Sequence, residues 1–233
     1  MNIIGDLGPF ADTFPPSRLL WLFRIIFKEW NNFSRTTRNP LENRITKPFV
    51  AYLQSCPENR SRPFIFDANV KLLDPEKDTE VGELDIRVMH GRLPRVFFAF
   101  ECKRLNVIRN GKYASQAGEY VGEGGMGCFL SGKYDGGSDC GAMIGYVMDN
   151  DAQKAIIAIN KALKTYEDSL RIKQPVKLKI SSLLSEEDDP CYETVHMNIE
   201  NDFTIYHVIL PYDVKADFLT CDKIRFNEDR PLK

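Results

Sequence analysis

The chain is 233 residues long, 43% hydrophobic and 27% charged, with a formal net charge of -2. These proportions exclude a disordered or fibrous protein, and the length fits one folded domain over 1–233 with excursions from its core. A charge so near zero also excludes a purely electrostatic coat for a polyanion, which would instead have to be met by a local basic groove and a bound cation.

The 6 cysteines (Cys56, Cys102, Cys128, Cys140, Cys191 and Cys221) are scattered and form no C-x-x-C pair. Neither a zinc site nor a disulfide framework is indicated, and a reduced, cytoplasmic setting is expected. The first residues lack a basic stretch followed by an apolar one, and the longest apolar run, Leu19 to Phe27, is broken by Arg24. No signal peptide and no membrane span are therefore expected.

Ser17 follows Pro15-Pro16 and precedes Leu20, Phe23, Ile26, Phe27 and Trp30 at helical spacing, which predicts an N-capped amphipathic helix ending near Asn31-Asn32. A second helix is predicted after Asn39-Pro40, with Ile45, Phe49, Tyr52 and Leu53 as its apolar stripe and Glu42 on the same inward face. Pro48 stands against it, because an interior proline kinks or breaks a helix.

From Phe64 the pattern becomes extended through Leu73, and Gly82 to Val88 alternates apolar and polar residues as a half-buried strand does. Gly91 and Pro94 mark a turn, after which Arg95 to Lys103 runs as an aromatic-rich strand. If the two strands pair across that turn, Asp85 falls near Ala99 to Glu101, and the two-residue period puts Glu101 and Lys103 on one face.

Ala114 to Leu130 reads as a distorted helix and loop, Asp135 to Ser138 as a turn, and Met143 to Met148 as a short buried strand. Asp149-Asn150-Asp151 caps a helix whose Ala152, Ile156, Ile159, Leu163, Tyr166 and Leu170 repeat every three or four residues. Tyr192 to Ile199 and Phe203 to Leu210 form a second hairpin. The predicted organisation is a core over about 40–170 with a C-terminal β-hairpin extension over about 175–233.

A strand as apolar as Val96 to Phe100 should stay apolar if it served only the core, yet it continues into Glu101 and Lys103. Burying such ions costs several kcal/mol unless they are paired or hold a metal. Asp85 adds a second carboxylate from the neighbouring strand, and two hard oxygen ligands with open water positions suit Mg2+. Lys103 beside that ion would orient a water or stabilise developing negative charge.

An acidic residue on one strand followed by E-x-K on the next resembles the PD-(D/E)XK, or restriction-endonuclease-like, nucleases, here through Asp85 and Glu101-Cys102-Lys103. The resemblance implies an α/β fold with a mixed central sheet flanked by helices, Mg2+ dependence with Mn2+ able to substitute, and hydrolysis of phosphodiester bonds. It implies metal ligation by Asp85, Glu101 and the backbone carbonyl of Cys102. Glu42 matches the further Glu that many members carry on the helix before these strands; its other reading is a helix-start Glu favoured by the helix dipole. Gly82-Glu83-Leu84-Asp85 resembles the G-x-x-D of the RecB-like branch, and Gln116 to Tyr120 its Q-x-x-x-Y, although that branch often has a His where Glu42 stands. Gln116 and Tyr120 then either border the substrate or are ordinary helix surface and core. At family level a cytoplasmic DNA endonuclease of bacterial restriction or anti-phage type is implied, with DNA favoured over RNA; the assembly implied is a homodimer, since cutting both strands needs two sites, or a larger defence complex.

Gly127 to Lys133 imitates a phosphate-binding P-loop, but Tyr134 replaces the hydroxyl residue that should hold Mg2+ and a turn follows where a helix must begin, which excludes that function. Lys133, Tyr134 and Arg104, with Arg109 and Lys112, either line a substrate groove or form a solvated charged surface. His90, His196 and His207 are isolated, and the acidic run Glu186 to Asp189 reads as a solvated linker. Two other classes remain open: a silent nucleic-acid- or protein-binding module of the same fold, and a structural protein in which Glu101 and Lys103 merely pair.

Overall fold

In a computed structural model, which describes residues 14, 16–61, 64–74, 79–90, 96–131, 133–134, 138–184, 189–197 and 201–214, these patterns resolve into a single mixed sheet between helices. The N-terminal helices α1 (Pro16–Asn32), α2 (Asn43–Ser55) and the short α3 (Pro57–Ser61) lead into β1 (Phe64–Asp74), β2 (Thr79–His90) and β3 (Phe97–Leu105). A small ribbon, β4 (Val107–Arg109) and β5 (Lys112–Ala114), and the short helices α4 (Ala117–Val121) and α5 (Gly127–Leu130) precede β6 (Cys140–Val147). Beyond α6 (Ala152–Thr165) and α7 (Glu167–Leu170) come β7 (Lys179–Ile180), β8 (Cys191–His196) and β9 (Phe203–Pro211).

The 7-stranded sheet runs β1-β2-β3-β6-β9-β8-β7. Its first three strands are antiparallel, β3, β6 and β9 are parallel, and β9, β8 and β7 are again antiparallel. The C-terminal hairpin is therefore no extension of a core over 40–170: β9 is an interior strand hydrogen-bonded to β6 along its length, and α1, which precedes residue 40, supplies much of one core layer. Pairing between parallel strands distant in sequence leaves no local signal, whereas the hairpin turn does.

Residue parity along β3 assigns the two layers. Phe98, Phe100 and Cys102 face α1 and α2, where Phe23 meets Phe98 and Phe100 edge-on at 5.9 and 6.0 Å between centroids. Ala99 and Leu105 face the other layer with Tyr120, Val121, Met143, Ile159 and Leu163. Glu101 and Lys103 share the parity of Ala99 and Leu105 and so stand on the α4–α6 side, interrupting that layer's apolar filling.

Several boundaries differ from the sequence expectation. Helix α1 starts at Pro16, whose fixed φ suits a first turn, so Ser17 lies inside it and does not cap it. Pro48 leaves α2 unbroken; it lies on the helix's exposed face together with Arg44, whose carbonyl loses its helical partner there. The expected distorted helix over Ala114 to Leu130 is two helices of one turn or so, and the long helix to Leu170 stops at Thr165, where the Tyr166 amide is shared between the carbonyls of Ala162 and Leu163. The turn at Asp135 to Gly137 lies outside the described residues. Among those described, no helix is long and apolar enough to cross a membrane.

Candidate functional site

The site forms where β2 leaves β3. The two strands pair only from Met89↔Phe97 to Ile86↔Phe100, and the ladder stops one residue before Asp85 and Glu101 would face each other. Within β2, Ile86 and Val88 belong to the α1–α2 layer whereas Leu84, of the same parity, belongs to the opposite one, so the strand turns over at Asp85. Across from it in β1, Asn69 takes a left-handed φ of 53° between the pairs Ala68↔Ile86 and Val70↔Leu84. Asparagine is among the few non-glycine residues that adopt this conformation readily. Its Oδ1 is buried without a hydrogen-bond partner among the described residues.

The edge of β3 that β2 abandons still carries amides needing acceptors, since an unpaired buried N–H is costly. Two carboxylates take the place of the missing strand. Cys102 N–H donates to Asp85 Oδ2 at 2.7 Å, and Arg104 N–H, the next amide on that edge, donates to Glu42 Oε2 at 3.1 Å. Glu42 reaches β3 because it immediately precedes α2, so that the inward face read from the sequence delivers it to this edge.

Between these carboxylates lies the E-x-K pair. Lys103 Nζ donates to Glu101 Oε1 at 2.6 Å and to the Cys102 carbonyl at 3.1 Å, and stands 3.8 Å from Glu42 Oε1. Glu101 is 6% exposed, and its Oε2 accepts from the Tyr134 hydroxyl. Asp85, Glu101, Lys103, Glu42 and the Cys102 carbonyl thus come together from β2, β3 and the start of α2.

Three carboxylates facing one ammonium leave a negative surplus. Burial, and then the Glu101 charge, push the Asp85 carboxyl up to about 7, against the hydrogen bond from Cys102 and the attraction of Lys103. Burial also raises Glu42, with Lys103 opposing and Glu101 adding to it. For Lys103, burial works against the charged form, but Glu101 and Glu42 outweigh it and the ammonium is held well above its ordinary value.

The donors available to a cation are hard oxygens: Asp85, Glu101, the Cys102 carbonyl and Glu42. Among the described residues no three or more His, Cys, Asp or Glu side chains form a cage that could hold a metal ion. Such a cage is not required for Mg2+, which is commonly held by one or two carboxylates with water and substrate phosphate completing its shell. The donor chemistry and the surplus of carboxylates over Lys103 fit such an ion.

The remaining candidates divide. Gln116 and Arg104 line a cleft of about 310 Å³ beside Glu42, together with Arg44 and Glu119. Arg104 also donates to the Pro40 carbonyl at 3.0 Å, tying down the loop that carries Glu42. Tyr120 does not border this cleft: it is wholly buried, with its hydroxyl 3.0 Å from His207 Nδ1. Tyr134 is likewise a buried wall against Glu101 and not an open groove residue, while Lys133 lies partly exposed with its ammonium 5.2 Å from the centre of the Tyr134 ring. Arg109 and Lys112 pair across the exposed end of the β4–β5 ribbon, whose first strand is held at its middle by Asn39 Nδ2 donating to the Ile108 carbonyl.

His196 and His207 are packed residues in a buried chain. The Leu170 carbonyl accepts from His196 Nδ1 (2.8 Å), His196 Nε2 from Thr194 (2.8 Å), Thr194 from His207 Nε2 (2.9 Å), and His207 Nδ1 from Tyr120 (3.0 Å). Because the terminal carbonyl can only accept, this order fixes one tautomer on each neutral ring. Burial lowers both imidazoles, His207 to about 3 with His196 adding to the effect. Tyr120's place in this chain, and Asn69 at the strand turn, are the structural parts that sequence reasoning missed. The signal available for Asn69 was an asparagine in a strand opposite the G-x-x-D segment.

Compared with family models, curated proteins and solved structures, the chain matches none. Its fold is α/β, with a mixed seven-stranded sheet flanked by helices.

Proposed function

We propose that this chain is a divalent-metal-dependent nuclease of restriction-endonuclease-like type, hydrolysing phosphodiester bonds of nucleic acid, with DNA favoured over RNA. The observation that carries the reading is the convergence of Asp85, Glu101 and Glu42 around Lys103 where β2 and β3 separate. Asp85 and Glu101, with the Cys102 carbonyl, hold Mg2+ or Mn2+, and Glu42 completes the site directly or through water. The ion, when bound, neutralises phosphate charge and lowers the pKa of a coordinated water. Lys103 then orients the attacking water and stabilises the charge developing on the phosphate. Arg104 and Gln116, in the cleft next to Glu42, and Arg109 and Lys112 on the ribbon supply backbone contacts. A cytoplasmic bacterial restriction or anti-phage endonuclease acting as a homodimer is the setting this reading favours.

A second reading is favoured by one specific observation: Lys103 already joins Glu101 and Glu42, which is what a structural ion-pair network in a silent binding module would display. Cleavage of plasmid, linear DNA and RNA by wild type and Lys103→Ala, in Mg2+, Mn2+ and EDTA, separates the two. Cleavage that EDTA and the substitution both abolish supports the nuclease. Activity indifferent to either defeats the mechanism, and binding without cleavage of any substrate supports the silent module.

A further inference from the structure

Tyr134, which follows α5, reaches the carboxylate oxygen of Glu101 that Lys103 does not take. The Tyr134 ring meets Phe129 edge-on with centroids 5.2 Å apart, and Phe129 lies against Phe203 at 6.0 Å and over Gly141, where an added Cβ would come within 2.4 Å of its ring. Lys133 is laid along Gly82, whose missing Cβ would fall 2.1 Å from Lys133 Cε. The phenol is thus held by the α5 aromatic on one side and by a chain segment packed on β2 on the other.

Its hydroxyl has Glu101 Oε2 and, at 3.2 Å, the Glu83 carbonyl as oxygen acceptors, with the Cys128 thiol beside them, but only one proton. The charged carboxylate is the stronger acceptor, and burial together with the Glu101 charge keeps the phenol protonated. Glu101 is therefore gripped on both oxygens, Oε1 by Lys103 and Oε2 by Tyr134. The terminal torsion of a glutamate is broad and roughly two-fold, so a single donor leaves the carboxylate plane loosely set, whereas a donor on each oxygen fixes it.

We propose that Tyr134 is a positioning residue: it fixes the plane of the Glu101 carboxylate so that Oε1 stays turned toward Lys103 and Glu42, and thereby sets the affinity of the site for a divalent cation. This rests on the metal-dependent reading above. Loss of a partner that orients a ligand commonly weakens metal affinity by about 10–100-fold.

The test is Mn2+ binding to the full chain, followed by electron paramagnetic resonance of the free ion, for wild type, Tyr134→Phe and Thr194→Val, with thermal unfolding in EDTA recorded for each. Tyr134→Phe removes the hydroxyl and keeps the ring; its Kd for Mn2+ is expected to rise about tenfold or more. Thr194→Val lowers the melting temperature through the buried histidine chain and leaves the Kd within about twofold, which separates positioning from general destabilisation. Wild-type and Tyr134→Phe proteins of equal affinity overturn the positioning role alone. No Mn2+ binding by wild type overturns the metal-dependent reading and this proposal with it. Should Tyr134→Phe fail to fold, Phe129→Leu decides, since it loosens the ring and keeps the hydroxyl: a weakened Kd supports the proposal, and an unchanged one overturns it.

Discussion

Removing the Asp85 charge is expected to stabilise the protein in EDTA while abolishing the proposed cleavage. The folded pKa of about 7 lies above the ordinary 3.8, so the stability contributed by the proton is fully present below about pH 4 and is lost as pH rises through about 7. That interval corresponds to about 4 kcal/mol at roughly 1.4 kcal/mol per pH unit. Lys103 and Glu101 readjust as Asp85 ionises, so about half of this, or about 2 kcal/mol, is expected to survive in Asp85→Asn. The amide oxygen of asparagine can still accept the Cys102 amide proton, so the strand edge stays satisfied. For a chain of this size 2 kcal/mol corresponds to about 4–8 °C. Thermal unfolding in EDTA should therefore show Asp85→Asn melting above wild type at pH 8 and together with it at pH 4. A variant that melts with or below wild type at pH 8 would refute the reasoning, because Asp85 would then lie under no electrostatic penalty.

Lys103→Met leaves Glu101 and Glu42 without their shared ammonium and is expected to cost about 3–5 kcal/mol in EDTA at pH 8; millimolar Mn2+ should recover part of the lost melting temperature, and an unchanged melt would argue against the cluster. His207 has the opposite pH dependence to Asp85: its folded pKa of about 3 lies below the ordinary 6.5, so its contribution is present above about pH 6.5 and is lost as pH falls through about 3, an interval worth about 4–5 kcal/mol. His207→Gln should accordingly flatten the acid limb of a denaturant-stability profile between pH 3 and 7 at a cost of about 1–3 kcal/mol near neutrality, and an acid limb as steep as wild type's would count against it. Arg109→Ala with Lys112→Ala, both on the exposed ribbon, should leave the melting temperature alone and reduce the slope of log affinity for duplex DNA against log salt by about 2; an identical slope would remove the ribbon from the interface.

The placement of the candidate site residues was legible because extended strands and helices have fixed side-chain periods. The two-residue repeat of an extended strand put Glu101 and Lys103 on one face, antiparallel pairing of β2 with β3 brought Asp85 alongside, and the helical spacing of Ile45, Phe49 and Leu53 delivered Glu42. Tyr120 and Tyr134 were not legible in the same way. Whether a tyrosine ends in a groove or in a wall depends on what the rest of the chain packs over it, and the residues that decide this, His207 and Glu101, are distant in sequence. The two-residue strand β7 and the three-residue strands of the ribbon fall below the length at which a period can be read. The parallel seam of β6 with β9 is likewise set by burial of both faces, which produces apolar runs and names no partner.

Where β2 peels away from β3, fold and proposed chemistry depend on the same atoms. Asp85 and Glu42 complete the hydrogen bonding of an abandoned strand edge with one oxygen each, and Glu101 is held by Lys103 and Tyr134. Had β2 continued along β3, the amides of Cys102 and Arg104 would have met backbone carbonyls, and no carboxylate would have been required there. The strand turn at Asp85 and Asn69 thus creates both the opening and the need for anions to line it. It follows that loss of activity on truncation does not by itself assign a role to Asp85 or Glu42, since truncating either unpairs a buried amide as well as removing a charge. The isosteric changes Asp85→Asn and Glu42→Gln, which retain an acceptor, are the ones that isolate the charge.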